Sequence, residues 1–104
     1  MSYPTLAFDD SEVPAHVVRG RTLKAASGLA ALGVCEGDVV AVMMRNEPEA
    51  MEAILAAGHL GAYWCGLNWH FKGEEAGWVL RDSRAKVLVI HADLIPQVLS
   101  LIHI

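Results

Sequence analysis

Cysteine, basic charge and uninterrupted apolar sequence are all scarce in this chain of 104 residues. Cys35 and Cys65 make one pair at most, and their spacing suggests no disulfide framework. They read as two free thiols of a reducing compartment, with a structural, buried role the ordinary expectation for free cysteine. Eight Lys and Arg face twelve Asp and Glu, giving a net charge of -4 with no basic cluster. That excludes the electrostatic footprint of a nucleic-acid binder and disfavours anionic membrane surfaces. The longest apolar stretch, Ala53 to Leu67, is interrupted by His59 and several glycines and is too short for a membrane span. The opening MSYPTLAFDDSEVP carries Asp9, Asp10 and Glu12 where a secretion signal needs apolar residues. A cytoplasmic location is therefore expected. No repeat and no low-complexity segment is visible.

What the chain has is apolar sequence in short, ordered pieces. Hydrophobic residues make up 54% and charged residues 19%, which suits one small globular unit rather than disorder. Residues 1–21 read as irregular, with Pro4 and Pro14 as breakers and extended pieces at Tyr3–Phe8 and His16–Arg19. A first helix is expected over Thr22–Leu32, capped by the Thr22 hydroxyl and stopped at Gly33. Val39–Met44 is a continuous apolar run, the mark of a strand buried on both faces.

A second helix is expected from an Asn46 cap to about Leu60, with Pro48 in its first turn and Glu47, Glu49 and Glu52 complementing its dipole. Its spacing places Ala50, Ile54, Ala57 and Gly61 on the buried stripe and Glu49, Glu52, Ala56 and His59 on the opposite one. A strand over Ala62–Leu67, a helix over Gly73–Arg81 with Ala76, Val79 and Leu80 inward, and a strand over Lys86–Ile90 follow. A last helix is expected from Ala92 or Asp93, with Pro96 in its first turn. Strands alternating with helices imply βαβ units, so the fold class is α/β with a three-stranded parallel sheet and flanking helices. Three strands and so few helices leave such a sheet short of cover, and the architecture reads as incomplete.

The run from Ala30 to Ile90 resembles the N-terminal part of the adenylate-forming acyl-CoA synthetases, the AMP-dependent synthetase and ligase superfamily. The matching pieces are Ala31-Leu32-Gly33-Val34, Gly37-Asp38-Val39-Val40-Ala41, Arg45-Asn46-Glu47-Pro48-Glu49, Leu60-Gly61-Ala62-Tyr63, Leu67-Asn68, Glu74-Glu75, Asp82-Ser83 and Ala85-Lys86-Val87-Leu88-Val89. Their order and tight spacing make the resemblance specific. The wording Asn68-Trp69-His70 leans toward bacterial enzymes acting on fatty or aromatic acids. Two departures stand out: Gly66 replaces the family's usual proline, and Arg84 its usual glycine. The segment ahead of the first helix also lacks a Thr-Tyr-x-Glu-Leu element.

The resemblance implies a two-step ligase using ATP, Mg²⁺ and CoA, in which a carboxylate becomes an acyl-adenylate and then a thioester. Its phosphate loop, magnesium ligand and catalytic lysine belong downstream of the matched region. Lys24, Lys72 and Lys86 follow no Gly-rich loop, so no catalytic, cofactor-binding or metal residue is expected in this chain. His59, Cys65 and His70 match no zinc spacing. Adjacent Glu74 and Glu75 read as a solvated helix start. Trp78 falls on the outward helix face shared by Glu74 and Arg81, which suits a surface that another part of the protein covers.

Residues 22–98 are thus expected to be a partial α/β subdomain whose partner is the remainder of its own chain. Non-specific self-association through open sheet edges is also expected. The last six residues, LSLIHI, equal one reading frame of a transposon end used in sequencing libraries, so 99–104 is expected to be a non-native tail. The alternative is a self-standing small α/β interaction module.

Overall fold

The computed structural model describes residues 3–8, 11–45, 47–68 and 73–96. Two short strands, β1 (Leu6–Phe8) and β2 (Ser11–Val13), form an antiparallel hairpin with Leu6 opposite Val13. Helix α1 follows at Ala15–Ala31. β3 (Val39–Met43), α2 (Pro48–His59), β4 (Tyr63–Gly66), α3 (Gly73–Ser83) and β5 (Val87–Ile90) complete the elements, with a 3-10 turn at Ala92–Leu94. The sheet order is β4-β3-β5, with both pairings parallel. The expected α/β class and three-stranded parallel sheet are therefore present.

The front of the chain departs from expectation. Residues 1–21 do not stay irregular, and His16–Arg19 is helical rather than extended. Pro14 opens α1 instead of breaking the chain: its carbonyl accepts from Val17 and Val18 N–H, both at 3.0 Å. A proline at a helix entrance sacrifices no internal hydrogen bond. Thr22 consequently lies inside α1, fully buried, and caps nothing. Its Oγ1 has no hydrogen-bond partner, an arrangement that costs about 1–3 kcal/mol.

β3 divides the core by its own alternation. Val40 and Val42 pack with Ala26 and Leu29 of α1 and Ala53, Ala56 and Ala57 of α2. Ala41 and Met43 point the other way, with Leu67, and meet Val79 and Leu80 of α3. The sheet thus lies between an α1/α2 layer and an α3 layer. The expected stripe of α2 needs correction: Glu52 and Ala56 are buried, along with Ala53 and Ala57. α1 packs along that side of α2, so the stripe expected to face solvent faces a helix. Arg21 of α1 meets the Glu52 carboxylate there at 3.4 Å. The Asn46 cap lies outside the described residues, and Glu47 occupies the N-cap position without a side-chain bond. The Ala76 side chain likewise lies outside them.

Helices α1, α2 and α3 end in one way. Val34 N–H reaches back to Leu29, Ala62 N–H to Ala57 and Ala85 N–H to Leu80, at 3.1, 3.0 and 3.3 Å. In each case the preceding residue has positive φ: Gly33 at 93°, Gly61 at 72° and Arg84 at 56°. This Schellman closure favours glycine because a Cβ is strained there. Arg84 is the exception, standing where related sequences are expected to carry glycine. Arg84→Gly should therefore raise stability by about 0.5–1 kcal/mol, the relief of strain exceeding the added freedom of the unfolded chain. A urea midpoint unchanged or lowered by the substitution would contradict that reading.

Gly66, the other departure, is tied to its neighbour. A Cβ built there would lie 3.1 Å from the Trp64 ring. The Leu67 N–H donates to the Val42 carbonyl of β3 at 2.9 Å and the Tyr63 N–H to that of Asp38, the residue before β3, at 2.8 Å, so by strand alternation the Gly66 N–H points away from β3. A proline would cost no bond to β3 at this position; Trp64, resting over Gly66, is what leaves little room for a side chain.

Candidate functional site

In open α/β sheets, ligand crevices lie beyond the carboxyl ends of the strands where the connections diverge. The chain leaves β3 for β4 on one side and returns past it to β5 on the other. The divergence is therefore between β3 and β5. Arg45 follows β3; His91 and Asp93 follow β5.

The Arg45 guanidinium grips the Asp93 carboxylate with both arms, Nη1 to Oδ1 at 3.1 Å and Nη2 to Oδ2 at 2.7 Å. The Arg45 hydrogen bond holds Asp93 below the usual carboxylate range, and Asp93 in turn raises Arg45. Beside this pair, His91 Nε2 is buried without a hydrogen-bond partner, 3.7 Å from Glu47 Oε2. The crevice is thus bridged by the chain's own groups. An incoming anion would have to displace Asp93 from Arg45. As it stands, the arrangement pins the strand ends together.

A second polar cluster lies at the opposite end of the sheet. Lys86 Nζ donates to the Gly33 carbonyl at 2.7 Å and meets Asp38 Oδ2 at 3.2 Å. The same Asp38 oxygen accepts the Cys35 N–H at 2.7 Å. That backbone bond, then Lys86, lowers the Asp38 pKa. The cluster clips the α1–β3 turn to the start of β5. Asp93 is exposed and Asp38 only half-buried, so their individual contributions are small and screened.

The sign of their pH effect is nevertheless fixed. A carboxylate with a lowered folded-state pKa adds stability above its unfolded pKa, and loses it as pH falls through the folded value. Asp38→Asn with Asp93→Asn should therefore flatten the decline of stability below about pH 4. Urea midpoints measured at successive pH values would show this; identical slopes in the parent and the double variant would count against both clusters.

The residues weighed from the sequence are scattered. His59 is exposed at the end of α2, Cys65 is half-buried in β4, and His70 lies outside the described residues. Cys35 is exposed, so neither cysteine is the fully buried thiol expected. Glu74 and Glu75 stand exposed in the first turn of α3. Among the described residues no three His, Cys, Asp or Glu side chains converge on a metal-sized site. No helix among them is long and apolar enough to cross a membrane. Neither polar cluster was legible beforehand, because Arg45–Asp93 and Asp38–Lys86 each span 48 residues of sequence.

Two surface grooves accompany these clusters. One, of about 230 Å³, runs between β1 and the start of α2, walled by Leu6, Pro48, Met51 and Ile54. The other, of about 520 Å³, follows the outer side of α3 past Glu74, Glu75, Trp78, Val79 and Arg81. Trp78 there is 61% exposed, in the outward position expected.

Comparison with known proteins places this geometry. Residues 13–103 match the family model of the AMP-binding enzymes. A medium/long-chain-fatty-acid–CoA ligase of Mycobacterium tuberculosis is 38% identical over 93 residues, covering 89% of this chain and 16% of that protein. The indoleacetate–CoA ligase of Aromatoleum aromaticum is 29% identical, with 89% and 18% covered. Among solved structures, an anthranilate CoA ligase in complex with anthranoyl-AMP superposes with a TM-score of 0.83 at 29% identity, covering 88% of this chain and 18% of that one. The N-terminal domain of the M. tuberculosis protein FACL13 gives 0.82 at 28% identity, with 88% and 23% covered. The chain therefore spans less than a quarter of each of these proteins and corresponds to their N-terminal part.

Proposed function

Because the chain belongs to the family of AMP-binding enzymes, related to acyl-CoA ligases, we propose that it is the N-terminal part of an ATP-dependent acyl-CoA synthetase, inactive by itself. The observation that carries this is the family match over residues 13–103, set against the 16% of a fatty-acid–CoA ligase that the chain covers. In the whole enzyme a carboxylate would displace pyrophosphate from ATP, giving an acyl-adenylate. The CoA thiol would then displace AMP, giving a thioester.

The residues present do not fit ATP and Mg²⁺. Lys86 is held by Gly33 and Asp38, and Arg45 by Asp93. Lys24 stands exposed in mid-helix, while Lys72 lies outside the described residues. No Gly/Ser/Thr-rich loop with lysine occurs in the sequence, so nothing here can cradle a triphosphate from its backbone. Phosphate binding, metal binding and the catalytic lysine are assigned to the remainder of the enzyme. This chain supplies the first layers of the scaffold on which they sit.

The same reading takes 22–98 as a partial subdomain in a cytoplasmic protein and 99–104, outside the described residues, as a non-native tail. The test is ATP–pyrophosphate exchange with fatty and aromatic acids, on the 104-residue chain and on the product of the reading frame continued past Leu99 in the source DNA. We expect exchange from the extended chain alone. Exchange by the short chain would overturn its inertness. An extended chain inactive with every acid would overturn the synthetase reading and favour the interaction module.

A further inference from the structure

We draw no further inference here: the strongest candidate, the outer edge of β4, where Tyr63 and Trp64 stand exposed and no strand pairs among the described residues, carries nothing because nothing in the structure shows what covers it.

Discussion

Met43→Ala is expected to cost about 2–5 kcal/mol of unfolding free energy. Met43 is the largest fully buried side chain among the described residues. It sits on the central strand, opposite Ile90 in the register with β5. Removing it deletes the middle of a cluster whose other buried members among the described residues are Ala41 and Leu67. Small domains are stable by about 5–15 kcal/mol in total, so the loss is a large part of the whole. Urea unfolding of the two chains side by side measures it. A loss below about 1 kcal/mol would mean that the α3 layer collapses freely into the space, which happens only where packing is already loose.

Ala56→Leu tests the opposite limit on the opposite face, with an expected cost of about 1–3 kcal/mol. Ala56 and Ala57 have no exposed surface, and Ala53 has almost none. These three alanines let α2 lie close to α1 and to β3. A leucine at 56 has nowhere to go without pushing α1 away from Glu52, whose partner Arg21 is on that helix. Ala30→Leu, on the exposed side of α1, provides the control and should change stability by less than about 0.5 kcal/mol. Equal effects of the two substitutions would show that the α1–α2 contact is not tightly packed.

The interior elements were legible because each is written in one local signal. Val39–Met43 is an unbroken apolar run, and β3 is buried on both sides. Gly33 stops the helix that the sequence expects it to stop, whereas Gly61, expected on the buried stripe of α2, closes that helix instead. The start of α1 was not legible, since Pro14 reads equally as a breaker and as a helix entrance. The face of α2 was misread for a tertiary reason: helical spacing says which residues share a stripe but not how many neighbours the helix has. With α1 on one side and the sheet on another, Glu52 and Ala56 are interior. The polar clusters were hidden by distance along the chain. Arg45 and Asp93 carry no motif, and only the return of β5 beside β3 brings them together. The helix-end departure was legible as a difference, and its cost became visible only with the positive φ of Arg84.

The central strand is also the first of the three to be made. β3 is complete at Met43, whereas its second neighbour, β5, is not finished until Ile90. Chain emerging from a ribosome therefore carries a very apolar strand with both edges open while α2, β4 and α3 are still being added. One edge closes early through the βαβ unit ending at β4; the other waits for a contact some 47 residues away along the chain, Met43 to Ile90. Pairings of long sequence separation form slowly, because loop closure must precede any gain from contact. An exposed strand edge in that interval is an aggregation hazard. Synthesis arrested before Val87 would leave β3 half-paired and the Met43 face without Leu88 and Ile90, so the shortest segment able to leave the ribosome as a closed sheet ends beyond Ile90.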